Sequence, residues 1–88
     1  MQSTLVMSDE DARKQLGKTL RKGRLQKKLS LRSASDQLLL KYSLPICHMS
    51  IQRIEEGKTK KVNFSIILCL LSLYDCPFED ALSGFIPD

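Results

Sequence analysis

A chain of 88 residues and 10.0 kDa has room for one small domain; a domain of this size buries only about 60% of its unfolded surface, which excludes a multi-domain protein and disfavours a deep enzyme pocket. Its 42% hydrophobic and 27% charged residues, with four glycines and three prolines, exclude collagen-like, low-complexity and disordered chains. The formal net charge of +4 points toward polyanions as partners.

Residues 1–8 read as a flexible N-terminal arm. From residue 8 to residue 28 there is no proline, and Ala12, Leu16 and Leu20 recur at the i, i+4 spacing of one helical face. Ser8 or Asp9 can cap this helix, and the acids at its start and Lys27 and Lys28 at its end suit the helix dipole. Ser30 caps a second helix that carries Leu31, Ala34, Ser35 and Leu38 on one face, with Leu39 and Tyr42 extending that face by a turn. Pro45 disfavours helical geometry at Leu44, so residues 42–46 form a connector. A third helix over residues 47–56 turns Ile51 and Ile54 inward and stops at Gly57, where a left-handed residue is wanted.

Residues 58–62 then read as a basic loop, Asn63 as the cap of a fourth helix reaching Tyr74, and residues 78–82 after Pro77 as a short fifth helix. The expectation is an all-α protein of five helices without a strand, with a domain over residues 9–83 and a tail over 84–88. The most apolar stretch, residues 64–74, is 11 residues long, whereas a membrane-spanning helix needs about 20. Three cysteines, with no C-x-x-C pair and no secretory pattern among the first 30 residues, predict reduced thiols and a cytoplasmic location. Cys47 and His48 are sequence neighbours, so on a helix they point about 100° apart. With no clustered partners for them, neither a metal, a cofactor nor an enzymatic role is expected.

The charge is unevenly placed. All 14 Lys and Arg lie between Arg13 and Lys61, against Asp36, Glu55 and Glu56, so that stretch carries +11 and the acidic ends carry −7. Two helices joined by a connector, the second followed by lysines, form the outline of a helix-turn-helix that offers its second helix to the major groove. Arg24 near the end of the first helix and Glu55 near the end of the third can form a bidentate guanidinium–carboxylate pair that locks the two together.

Leu16-Gly17, Leu20-Arg21, Arg24, Leu29-Ser30 and the run Ser50-Ile51-Gln52-Arg53-Ile54-Glu55-Glu56-Gly57-Lys58 resemble the Cro/C1 (XRE) family of helix-turn-helix domains, which includes the lambdoid phage repressors. The resemblance covers roughly residues 16–82 and implies a five-helix, lambda-repressor-like DNA-binding domain with a lengthened turn and with Arg24 paired to Glu55. It also implies that His48, Met49 and Arg53 read bases. Arg53 suits guanine O6 and N7 together, a contact that discriminates by about 1–3 kcal/mol per base pair. By the same register Cys47 caps the reading helix and Ser50 contacts phosphate. Lys58, Lys60 and Lys61 are point charges suited to the phosphate backbone, and Asn63, Arg32 and Ser33, at the starts of the fourth and second helices, are further phosphate candidates. The chain departs from the family pattern at Leu31, where a glutamine is usual, and in a segment from Ser30 to Ile46 that is longer than the compact motif and has no turn glycine.

The function expected is a sequence-specific transcriptional regulator, a repressor that binds a palindromic operator on double-stranded DNA as a homodimer. Phe78, Leu82, Phe85 and Ile86 at one end, with Leu5, Val6 and Met7 at the other, are the dimer candidates. Two alternatives stay open: an antitoxin that neutralises a toxin and represses its own operon, and a protein-interaction module whose basic first helix docks on an acidic partner.

Overall fold

Side chains of alternating character and well-placed capping residues divide the chain into short elements, which the computed structural model describes over residues 4–6, 10–59 and 61–77. In chain order they are β1 (Thr4–Val6), α1 (Glu10–Gln26), α2 (Leu31–Tyr42), α3 (His48–Glu55), β2 (Lys61–Asn63) and α4 (Phe64–Leu73). Leu16 and Leu20 of α1, Ala34 and Leu38 of α2, Ile51 and Ile54 of α3 and Ile67, Leu70 and Leu71 of α4 meet in one core. Leu16, Leu20, Leu38, Ile51, Ile67 and Leu70 are fully enclosed.

The helix ends follow from local chemistry. Ser30 Oγ accepts the Ser33 N–H at 3.0 Å and starts α2; Asn63 Oδ1 accepts the Ser65 N–H at 2.8 Å and starts α4. Gly57, at φ 72°, ends α3 in a double bond pattern, with its own N–H on the Ile54 carbonyl at 3.1 Å and the Lys58 N–H on the Arg53 carbonyl at 3.0 Å. The end of α1 copies this pattern with Lys28 at φ 58° in the glycine's place, the Leu29 N–H reaching the Arg24 carbonyl at 3.1 Å. A Cβ in the left-handed region is unfavourable, so Lys28→Gly should raise the unfolding free energy by roughly 0.5–1 kcal/mol after the glycine's own entropy is counted. Urea denaturation followed by circular dichroism measures this, and a lowered midpoint would contradict it.

Several expectations are corrected. The described residues form four helices and a two-stranded antiparallel ladder, rather than the five-helix, lambda-repressor-like bundle without strands. Asp75 at φ 55° and Pro77 terminate α4, and the expected fifth helix at residues 78–82 lies outside the described residues, as does the tail over 84–88. The basic loop expected over residues 58–62 is shorter, because Lys61–Asn63 forms β2, paired Thr4↔Asn63, Leu5↔Val62 and Val6↔Lys61 with a segment read from sequence as part of an arm. Val62 is buried against the helices, which fixes that strand to the core.

The long segment between Ser30 and Ile46 is absorbed by a twelve-residue α2 that runs to Tyr42, with residues 43–47 as the connector to α3. Leu39 does not extend the buried face: it is 54% exposed. Tyr42, also exposed, donates its hydroxyl to Ser72 Oγ at 3.0 Å and so ties the rim of α2 to α4. No helix among the described residues is long and apolar enough to cross a membrane.

Candidate nucleic-acid interface

The eight residues of α3 divide into two faces. Ile51 and Ile54 enter the core, while Met49, Gln52, Arg53 and Glu56, at the i, i+3, i+4, i+7 spacing of one helical stripe, point out. Met49 is 56% exposed, which removes it from the core. It stands beside Arg53 on the outward face.

What holds this helix is a polar brace behind it. Arg24 donates Nε to Glu55 Oε2 at 2.8 Å and Nη2 to Glu55 Oε1 at 3.0 Å, the bidentate pair expected from sequence. Its remaining Nη1 donates to the Leu29 carbonyl at 2.8 Å. The two side chains are only 10% and 5% exposed, so both charges are nearly out of water. The hydrogen bonds to Glu55 raise the Arg24 pKa against the opposing effect of burial, and the arginine stays charged. A second brace comes from Arg13, whose Nε donates to the Gly57 carbonyl at 3.0 Å and so clamps the turn after α3 to the start of α1.

Gly17 lets α1 come this close. A Cβ there would fall 2.2 Å from the Glu55 carbonyl oxygen and 2.8 Å from that of Ile54, both backbone atoms of α3. The Tyr74 hydroxyl lies nearby, buried and without a hydrogen-bond partner in the described structure. Burial first, and the Glu55 carboxylate second, push its pKa far above the ordinary phenol range, so it is a neutral filler of this corner.

The remaining predicted contacts are distributed as follows. Cys47 is the N-cap of α3 and is exposed, with no side-chain capping bond; His48 begins the helix half-buried, and Ser50 and Arg53 are exposed. Met49, Arg53 and Lys58 line one shallow concavity together with Gln52, Glu56 and Thr59. Arg53 also borders a second hollow with Cys47 and Ser50. Arg32 and Ser33 are exposed on the first turn of α2, and Ser33 accepts the Ser30 hydroxyl at 2.9 Å. Asn63 is half-buried and its side-chain oxygen is already used as a cap.

Lys60, the side chains of Leu5, Val6 and Lys61, and the dimer candidates Met7, Phe78, Leu82, Phe85 and Ile86 lie outside the described residues. Gln52 and Glu56 were not picked out from sequence, although the stripe complementary to Ile51 and Ile54 contains both. Glu56 is not a bare carboxylate: Lys58 Nζ sits 3.1 Å from its Oε2.

Burial raises the thiol pKa of Cys69 and of Cys76, which makes both poor nucleophiles. No group of three or more His, Cys, Asp or Glu side chains able to hold a metal occurs among the described residues. What the site does have is a short, braced helix with an outward polar stripe and a lysine at its end. No protein-family model, no curated protein and no solved structure matches the chain, and the functional reading therefore rests on this geometry and on the residue pattern of α1 and α3.

Proposed function

We propose that the protein is a sequence-specific DNA-binding regulator of transcription that represses by occupying its operator. The observation that carries this reading is the buried Arg24–Glu55 brace, which holds α3 with Met49, Gln52 and Arg53 facing out beside Lys58. A helix presented to the major groove must be rigid, because base discrimination depends on side chains holding fixed positions against base edges. Lys58 then serves as a point charge on the phosphate backbone, which positions the protein without reading sequence. The resemblance of residues 50–58 to the Cro/C1 proteins supports the same reading. One such helix reads a half-site, so the operator is a palindrome bound by two copies about one DNA turn apart.

Duplex selection from a random pool, followed by competition between the recovered duplex and scrambled ones, tests the proposal. Arg53→Ala is exposed and should fold normally. It should lower affinity for the selected duplex by about 1–3 kcal/mol while leaving binding to scrambled duplex nearly unchanged. A pool that yields no enriched motif, or an Arg53→Ala variant with intact preference, would overturn the reading.

A further inference from the structure

Next to the concavity that contains Lys58 lies a second groove, formed by Lys14, Lys18 and Arg21 of α1 on one wall and Gln52 and Glu56 of α3 on the other. Gln52 and Glu56 also line the concavity that contains Lys58, so these two residues form a ridge between two basic-sided troughs. The spacing of Lys14, Lys18 and Arg21 places them on one face of α1. The carboxylates of the groove do not neutralise that face. Glu55 is taken by Arg24 and Glu56 by Lys58. Lys14 is paired with Glu10 at 3.2 Å, whereas Lys18 and Arg21 are exposed and form no ion pair among the described residues.

From this we infer that α1 is the second jaw of a clamp: Lys18 and Arg21 take phosphates of one DNA strand while Lys58 takes those of the other. The inference rests on the DNA-binding reading above and extends it to the basic face of α1, to which that reading assigned no phosphate contact. The major groove is about 12 Å wide, and a helix with its side chains is about 10–12 Å across. A helix lying in the groove therefore has a phosphate wall close on each side. The ridge formed by Gln52 and Glu56 is the part that enters, and each trough receives one wall. Two uncompensated cations in the trough beside α1 complement that wall, while an uncharged or cationic partner has nothing there to match them.

The test measures salt dependence of binding to the selected duplex, and to a random 20-base-pair duplex, for the full chain and two double variants. Lys18→Gln/Arg21→Gln removes the jaw. Lys28→Gln/Lys41→Gln removes the same charge from exposed positions elsewhere. Losing two phosphate contacts should flatten the slope of log affinity against log salt by about 1.8, with a loss of about 60-fold at 0.1 M salt, equally for both duplexes. The control should change the slope by less than about 0.5. Uncharged methylphosphonate linkages placed on one strand should abolish the difference between the full chain and Lys18→Gln/Arg21→Gln, and on the other strand should leave it.

An unchanged slope in Lys18→Gln/Arg21→Gln overturns the clamp, as does a flattening matched by the control or confined to the selected duplex. If the unaltered chain binds and Arg53→Ala loses preference while the jaw variant retains its slope, only this inference falls. If the unaltered chain binds no duplex, the DNA-binding reading falls with it. Far-ultraviolet circular dichroism confirms that each variant is folded before binding is scored.

Discussion

Arg24→Ala should cost about 3–5 kcal/mol of folding free energy, because it leaves the Glu55 carboxylate in a buried site without its partner. That loss is comparable with the whole stability of a domain this size, about 5–10 kcal/mol, so the variant should be partly unfolded at room temperature. The Leu29 carbonyl, which Arg24 also serves, adds to the loss. Arg24→Lys should recover only part of it, since an ammonium cannot bridge both Glu55 oxygens and the carbonyl at once.

Replacing both partners, as Arg24→Met with Glu55→Leu, should be much milder than either single change, because no charge is then stranded. The raised Arg24 pKa sets the pH behaviour. The arginine's contribution is present in full below the ordinary arginine range and is lost only as pH rises through the still higher folded value, so raising pH from 7 to 9 should not weaken the brace. Urea denaturation of the three variants checks the ordering, and an Arg24→Ala midpoint close to that of the unaltered chain would refute a brace of this strength.

Gly17→Ala should destabilise by about 1–2 kcal/mol even though alanine is the better helix former. The propensity gain is at most about 1 kcal/mol, while the added methyl would collide with the Glu55 and Ile54 carbonyls at 2.2 and 2.8 Å. Those atoms belong to the backbone of α3 and cannot rotate aside, so α1 and α3 must separate, an overpacking strain of 1–3 kcal/mol or about that order, and more where backbone has to move. The separation also stretches the Arg24–Glu55 bonds, which are at 2.8 and 3.0 Å. The molecules that remain folded should therefore bind the selected duplex less tightly. Denaturation and duplex titration of one preparation measure both effects, and a raised midpoint would mean that the two helices do not approach this closely.

The helices were legible because their signals are local. Ser30 and Asn63 cap where their side chains can reach the next turn, Gly57 stops α3, and Pro45 separates it from α2. The Arg24–Glu55 pair was legible because a cation and an acid stand near the ends of two helices that the core forces together. The ladder was not, since three residues such as Thr4–Val6 or Lys61–Asn63 are too few to show an alternation. Arg13 enters the sequence reading only as one of 14 basic residues, yet it is buried with its guanidinium on the Gly57 carbonyl; that contact joins residues 44 positions apart, which no periodicity reports. The spacing of α2 puts Leu39 inward, but Leu38 takes the core position and the next residue, about 100° around the helix, stays in water. The basic face of α1 was legible as a charged helix but not as a groove beside α3, because charge counting finds the lysines but not which carboxylates are already spoken for.

The pairing of Thr4 with Asn63 joins segments at opposite ends of the sequence, separated by all of α1, α2 and α3. Contacts so far apart in sequence demand the largest loop-closure entropy, whereas helical turns and their neighbours close short loops. A two-stranded ribbon is also too weak to persist alone in water. The ladder must therefore zip last, onto a scaffold of helices already assembled. Val62 supplies a docked edge for it, so the first strand arrives as a latch on a finished body and is the natural place for the molecule to begin to open.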